Sequence, residues 1–261
     1  MAVLFCPDMW RDGSRLGVVQ WLYEQRGNKP QRNDLPMKLL QGDCMELLPE
    51  IPDKSVDLIA TDPPYFLGMT HNGKKGSFND LAICRPFYDR LAAEFARVLK
   101  DTGEFYIFTD WRGYAFYYPV FSAVLPVKNL IVWDKKSGAG NFYTYAHEFI
   151  IYGTMCNKNK RGTNVWRETA FSSGAKKTNG PKVHPTQKPV ELLEKIILNS
   201  SEPGDTVLDT FMGSGTAGVA CLRQGRHFIG HEIDEKYYKI ARERIETERS
   251  RMASPVAGCN I

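Results

Sequence analysis

The 261-residue chain has no run of 18 apolar residues, and Pro7, Asp8 and Arg11 interrupt the short apolar stretch at its start, with no basic region before it. A membrane span and a secretory leader are therefore not expected, and a cytoplasmic location is. Six cysteines, at 6, 44, 84, 156, 221 and 259, form no CxxC pair. Neither a zinc site nor a disulfide framework follows, and the thiols read as reduced and structural. His147 and His184 have no partner at a metal-ligand spacing, so no metal is expected.

A net charge of +4 is modest, but it is unevenly placed. Seven basic residues between Cys156 and Lys182 (Lys158, Lys160, Arg161, Arg167, Lys176, Lys177, Lys182) face one acid, Glu168. The local balance of 7 − 1 = +6 leaves 4 − 6 = −2 for the rest of the chain. Such a run is either a solvated face or a polyanion site.

A hydrophobic content of 43% can fill one large α/β core. Periodicity predicts strands at 38–41, 56–61, 104–109, 129–133, 147–152, 206–209 and 227–232, and helices at 85–100, 189–199, 216–224 and 235–248. Alternating strands and helices imply a mostly parallel, doubly wound sheet. The absence of a helix between 129–133 and 147–152 predicts an antiparallel hairpin at one edge. Residues 153–183 show no periodicity and are long for a loop, so they read as functional or disordered. Residues 1–36 hold one candidate amphipathic helix, 16–25, and no chemistry; 37–261 read as the catalytic domain.

Two motifs carry chemistry. In "LIATDPPYFLG", 58–68, an apolar strand ends in an acid, two prolines and an aromatic ring. Two prolines remove two amide donors and hold the following side chain nearly fixed, a costly arrangement for a plain turn. It makes sense if Asp62 and Tyr65 are presented at the carboxyl edge of a sheet, where open α/β folds bind ligands. In "TVLDTFMGSGTAG", 206–218, a strand enters a glycine turn and a helix; Gly213, Gly215 and Gly218 fit G-x-G-x-x-G, and Glu232 ends the next strand, placed for a ribose diol. Alone, this fingerprint also fits an NAD-dependent oxidoreductase. Only one helix follows Glu232, however, so the third strand of a nucleotide-binding half must come from elsewhere. "MKLLQGDCMELLPEIPDKSVDLIATDPPY", 37–65, supplies one, with Asp43 at its end placed to accept from an adenine amino group. The motif order thus reads as circularly permuted, with the nucleoside site expected to be assembled from both ends.

Here the sequence resembles the β-group amino DNA methyltransferases, which use S-adenosylmethionine and have a Rossmann-like methyltransferase fold. The resemblance runs from about Lys38 to Ile245 and covers "DPPY", "FARVLKDTGEFYIF", "VWDKK", "AHEFIIY", "HPTQKP", "DTFMGSGT" and "GHEIDEKY" in that order. It implies site-specific methylation of double-stranded DNA, within or outside restriction-modification. It also implies a catalytic tetrapeptide Asp62, Pro63, Pro64 and Tyr65, and a cofactor site at Asp43, Cys44, Lys188, Asp209, Phe211, Gly213, Gly215, Thr216 and Glu232. Asp62 and the Pro63 carbonyl would accept from the NH2 of a flipped base, localising its lone pair toward the methyl group, while Tyr65 stacks on the base for roughly 1–3 kcal/mol. The cofactor methionine would cross the glycine turn, with Lys188 and the amides at a helix starting on Pro189 holding its carboxylate. One of Phe142, Tyr143 and Tyr145 would cover the other face of the base.

The acid at position 62 favours adenine N6, since N4-cytosine members more often carry serine there; N4-cytosine remains the alternative, and a catalytically silent DNA-binding protein the one from another class. The chain lacks a Pro-Cys dipeptide, having only Cys6-Pro7, which argues against covalent C5-cytosine methylation. Residues 153–183 become the target-recognition segment, with Lys74, Lys75, Lys158, Lys160, Arg161, Arg167, Lys176 and Lys177 on DNA. A homodimer and a cognate restriction endonuclease are the protein partners the resemblance admits. The recognition segment is short for this family, and the aromatic-acid element after the opening motif stands as Phe78-Asn79-Asp80.

Overall fold

The computed structural model describes residues 35–64, 70–71, 74–75, 81–136, 138, 143–157, 162–168 and 187–253. Strand β1 (Met37–Gln41) leads through Asp43 into helix α1 (Cys44–Leu47), a 3-10 turn (Leu48–Glu50) and β2 (Val56–Thr61). A two-residue hairpin, β3 (Thr70–His71) and β4 (Lys74–Lys75), precedes α2 (Leu81–Val98), β5 (Leu99–Thr109) and α3 (Trp111–Ser122). Then come β6 (Val127–Asp134), β7 (His147–Thr154), β8 (Val165–Arg167), α4 (Val190–Ser200), β9 (Thr206–Asp209), α5 (Thr216–Gln224), β10 (His227–Glu232) and α6 (Glu235–Ala253). Among the described residues no helix is long and apolar enough to cross a membrane.

Eight strands form one sheet in the order β1-β10-β9-β2-β5-β7-β6-β8. The strand missing after Glu232 is β1, which pairs parallel with β10 from Met37 opposite Phe228 to Gln41 opposite Glu232. β7 runs antiparallel to both β5 and β6. The predicted edge hairpin is therefore present but is not the edge: β8 pairs parallel with β6 outside it. β8 also gives order to part of a segment in which the sequence showed no periodicity.

Both faces are covered, as a sheet with apolar residues pointing both ways requires. On one face, Leu58, Ala60, Val207 and Phe228 pack with Leu193, Ile196, Val219 and Ile245 of α4, α5 and α6. On the other, Ile59, Phe105, Leu208 and Ile229 pack with Leu48, Leu91, Phe95 and Phe121 of the 3-10 turn, α2 and α3. Leu91, Phe95 and Val98 are fully buried, each contributing about 1.5–3 kcal/mol over an exposed position.

The helix predicted to run to Lys100 ends at Val98, because Leu99 pairs with Val56. Between Leu99 and Glu104 the register with β2 shifts, and the regular ladder starts at Glu104. α3 was not foreseen: "WRGYAFYYPVFS" carries Gly113 and Pro119, which oppose a helix. Asp110 caps it, accepting from the Gly113 amide at 2.7 Å, and Phe116, Tyr117, Val120 and Phe121 give it a buried face.

Candidate active site at the carboxyl edge of the sheet

Because β1, β10, β9, β2 and β5 are parallel, their carboxyl ends lie along one edge, bringing together Asp43, Glu232, Asp209, Asp62 and Asp110 from five separate stretches. Thr61 joins the two motif strands, its hydroxyl donating to Asp209 Oδ1 at 2.8 Å.

Asp62, Pro63 and Pro64 continue directly from β2. The Pro64 carbonyl accepts from two buried phenols, Tyr88 at 2.9 Å and Tyr117 at 2.6 Å, whose oxygens are 3.1 Å apart. Burial pushes both phenols above the ordinary tyrosine value, so they stay protonated donors. Sequence reasoning missed this clamp, since the two tyrosines lie on different helices and belong to no local motif. Tyr65 lies outside the described residues.

Asp62 Oδ2 also meets the Lys188 ammonium at 2.6 Å. Lys188 is 8% exposed, lies 3.2 Å from Glu148 Oε2, and has its charge over the Phe108 ring at 5.2 Å. Lys135, just after β6, reaches Glu148 Oε1 at 3.2 Å. Burial alone would lower the Lys188 ammonium, but Asp62 and then Glu148 hold it above the ordinary lysine value. Burial alone would raise the Glu148 carboxyl, but Lys188 and then Lys135 hold it below the ordinary glutamate value. Lys188, expected to face an anion at the helix start, has its ammonium between two carboxylates. Pro189 is the residue before α4 rather than its first residue, with φ −63° and ψ 141°.

The glycine turn is held at both ends. Phe211 donates its amide to Asp209 Oδ1 at 3.1 Å, Met212 to the His231 carbonyl at 2.9 Å, and Gly213 to Glu232 Oε2 at 2.9 Å. Gly213 (φ 51°) and Gly215 (φ 76°) adopt the left-handed backbone that glycine tolerates. Glu232 Oε1 accepts from the Asp234 amide. One amide on each oxygen leaves a lone pair on each for a vicinal diol. Burial pushes the Asp209 carboxyl up to about 7, against hydrogen bonds from Thr61 and the Phe211 amide. It likewise raises the Glu232 carboxyl. Asp43 caps α1 through its Oδ1, which accepts from Met45 at 2.8 Å. Burial pushes the neighbouring Cys44 thiol up to about 12, so it is no nucleophile. Thr216 opens α5. Arg244 of α6, unforeseen from the sequence, donates to the Ser214 carbonyl at 2.5 Å and its hydroxyl at 2.8 Å, and to the Thr216 hydroxyl at 3.3 Å, tying the turn to the last helix.

The model of the N6/N4 DNA methylase family matches residues 56–243, from the strand before Asp62 to the helix that holds the glycine turn. The chain belongs to that family. Over 252 residues the methylase is 33% identical to the type II methyltransferase M.HinfI of Haemophilus influenzae, covering 83% of this chain and 70% of that one. Over 256 residues it is 32% identical to the type II methyltransferase M2.DpnII of Streptococcus pneumoniae, covering 84% and 93%. The solved complex of M1.HpyAVI with its SAM ligand superimposes with a TM-score of 0.60 at 27% identity, covering 80% of this chain and 98% of that one.

The methylase's remaining site residues are more dispersed. Tyr143 and Tyr145, before β7, are 89% and 53% exposed; Phe142 lies outside the described residues. Arg167 ends β8 and pairs loosely with Asp134 at 3.5 Å, its side chain 75% exposed. Lys74 and Lys75 form β4. Lys158, Lys160, Arg161, Lys176 and Lys177 lie outside the described residues, as do His184 and the element 78–80. Among the described residues no cluster of three His, Cys, Asp or Glu could hold a metal ion.

Proposed function

We propose that the protein is a DNA adenine-N6 methyltransferase that takes the methyl group of S-adenosylmethionine. The observation that carries the amine chemistry is the two-tyrosine clamp on Pro64, and the acid at position 62 is what favours adenine over cytosine. Once the Pro64 carbonyl is committed to Tyr88 and Tyr117, the acceptors at the sheet edge for an exocyclic amine are the Asp62 carboxylate and the Pro63 carbonyl. Their positions are held by the two prolines.

The residues at the glycine turn suit the cofactor: Glu232 has lone pairs for a ribose diol, Asp43 lies one strand away for the adenine amine, and Phe211, Gly213, Gly215 and Thr216 form a turn that a ligand backbone can approach. When bound, S-adenosylmethionine supplies an electrophilic methyl on a sulfonium. Asp62 and the Pro63 carbonyl would accept from the adenine NH2 and so localise its lone pair toward the methyl group that the sulfonium supplies, the displaced amine proton passing to water. Such chemistry needs positioning more than acid–base power.

In this reading Tyr65 stacks on the extruded base, offsetting part of the few kcal/mol that extrusion costs. Residues 153–183, with Lys158, Lys160, Arg161, Arg167, Lys176 and Lys177, hold and read duplex DNA, helped by Lys74 and Lys75. The enzyme is cytoplasmic, and its motif order is circularly permuted. A second copy and a restriction endonuclease of matching specificity are the protein partners it admits.

The test is to incubate the protein with unmethylated duplex DNA and labelled S-adenosylmethionine, digest to nucleosides and weigh the product. N6-methyladenine is the expected product. N4-methylcytosine would keep fold, cofactor and chemistry but change the base, and no methylated nucleoside would overturn the reading in favour of a silent DNA-binding module.

A further inference from the structure

Four charged side chains form an alternating row: Lys135 to Glu148 at 3.2 Å, Glu148 to Lys188 at 3.2 Å, and Lys188 to Asp62 at 2.6 Å. They come from four separate stretches: the residue after β6, the second residue of β7, the approach to α4 and the residue after β2. Two cations and two anions leave no net charge, which suits a partly desolvated site, where an uncompensated charge is costly. The Phe108 ring stands against the ammonium of Lys188 and limits where it can move.

We propose that Lys188 is a positioning residue that fixes the Asp62 carboxylate for the target amine, and that Glu148 and Lys135 hold Lys188 in place to do so. The inference rests on the methyltransferase reading and deepens it. A carboxylate free to turn about its two side-chain torsions can swing its acceptor lone pairs away from the amine; a charge-assisted bond at 2.6 Å to Oδ2 opposes that rotation. Lys135 and Glu148 belong to the β6–β7 hairpin, and β7 runs directly into residues 153–183. The row therefore connects the acid that touches the base with the stretch assigned to DNA recognition. A lysine that anchored the cofactor carboxylate would not need two protein carboxylates of its own.

The test uses the full chain with K188M, K188R and E148Q. Calorimetry gives the affinity for S-adenosylmethionine, and labelled transfer to duplex DNA gives kcat and KM. K188M is expected to lower kcat about a hundredfold, while cofactor affinity and the KM for DNA stay within about threefold. K188R is expected to recover at least about tenfold of that loss, since it restores the cation, and E148Q to lose about tenfold in kcat with the same unchanged affinities. If K188M instead weakens cofactor binding and keeps kcat at saturation, Lys188 anchors the cofactor and the proposal is wrong. If K188M does not fold, E148Q and K188R decide, and wild-type kcat in both overturns it. An inactive wild type overturns the functional reading itself, a result distinct from an active wild type with unaffected variants.

Discussion

The hydroxyl of Tyr117 donates to the carbonyl of Pro64 at 2.6 Å across 53 positions of sequence, and that of Tyr88 donates to the same oxygen at 2.9 Å. Removing either donor should loosen Pro64 and free its carbonyl to compete for the amine. Tyr117→Phe and Tyr88→Phe should each cost about 1 kcal/mol of stability, near the net worth of one hydrogen bond. The double variant should lose more kcat than the two single losses combined, because a single variant keeps one donor. Steady-state methylation kinetics check this, and simple additivity would show that the clamp does not act as a unit.

Asp62→Ala removes the acceptor itself. Methylation should fall below detection while S-adenosylmethionine still binds within about threefold of the wild-type affinity, since this carboxylate accepts from the target base and not from the cofactor. Surviving activity in a labelled-methyl assay would assign the amine to other acceptors.

Asp209 gives a pH prediction. Its folded carboxyl lies near 7 against an ordinary value of 3.8, and burial is the cause. A raised folded value means that the native state binds the proton more tightly. This group's contribution to stability is thus largest below about pH 4, falls as pH rises toward 7, and is level above. Asp209→Asn keeps an acceptor for Thr61 and the Phe211 amide but carries no charge. Its stability relative to wild type should therefore rise by a few kcal/mol between about pH 4 and pH 7. Urea unfolding at several pH values measures it; parallel curves would refute the assignment.

Gly215→Ala should be harmful twice over. The residue has φ 76°, and an added Cβ would meet Ala241 Cβ at 2.9 Å and Cα at 3.0 Å. Strain and overpacking together predict a loss of about 1–3 kcal/mol. The turn would shift against α6, so cofactor affinity should drop as well; thermal melting and calorimetry report the two effects separately.

Replacing Lys158, Lys160 and Arg161 with alanine should weaken duplex binding and flatten its salt dependence, the slope falling by about one for each phosphate no longer neutralised. Fluorescence anisotropy across a salt series measures the slope. An unchanged slope would move DNA binding to other cations, Arg167 among them.

Strands β2, β9 and β10 and helix α5 stand where the hydrophobic pattern placed them, to the residue. Each has apolar side chains on both faces or a glycine stop, local signals that tertiary packing reinforces. α3 was illegible because its propensity opposes it, and only packing of Phe116, Tyr117 and Phe121 against the sheet reverses that. β8 was illegible because three residues, Val165–Arg167, are too few for a period; pairing with Val132, Trp133 and Asp134 makes them a strand. At the site, motif residues were legible and their supports were not. Tyr88, Tyr117 and Arg244 act through contacts between elements far apart in the chain, for which a linear pattern carries no signal.

The parallel pairing of β1 with β10 also governs the order in which a chain leaving the ribosome can become an enzyme. Met37 is made 191 residues before its partner Phe228. β9, the neighbour of β2 opposite β5, is likewise late. Pairings that close such long loops are slow, because the entropy of closure precedes the gain from contact. β2 can find β5 early, so Asp62 is framed on one side while translation continues. Glu232 is translated well after β1 and β2, and a nascent chain can hold neither ribose nor methyl donor at that edge until β10 is free to insert.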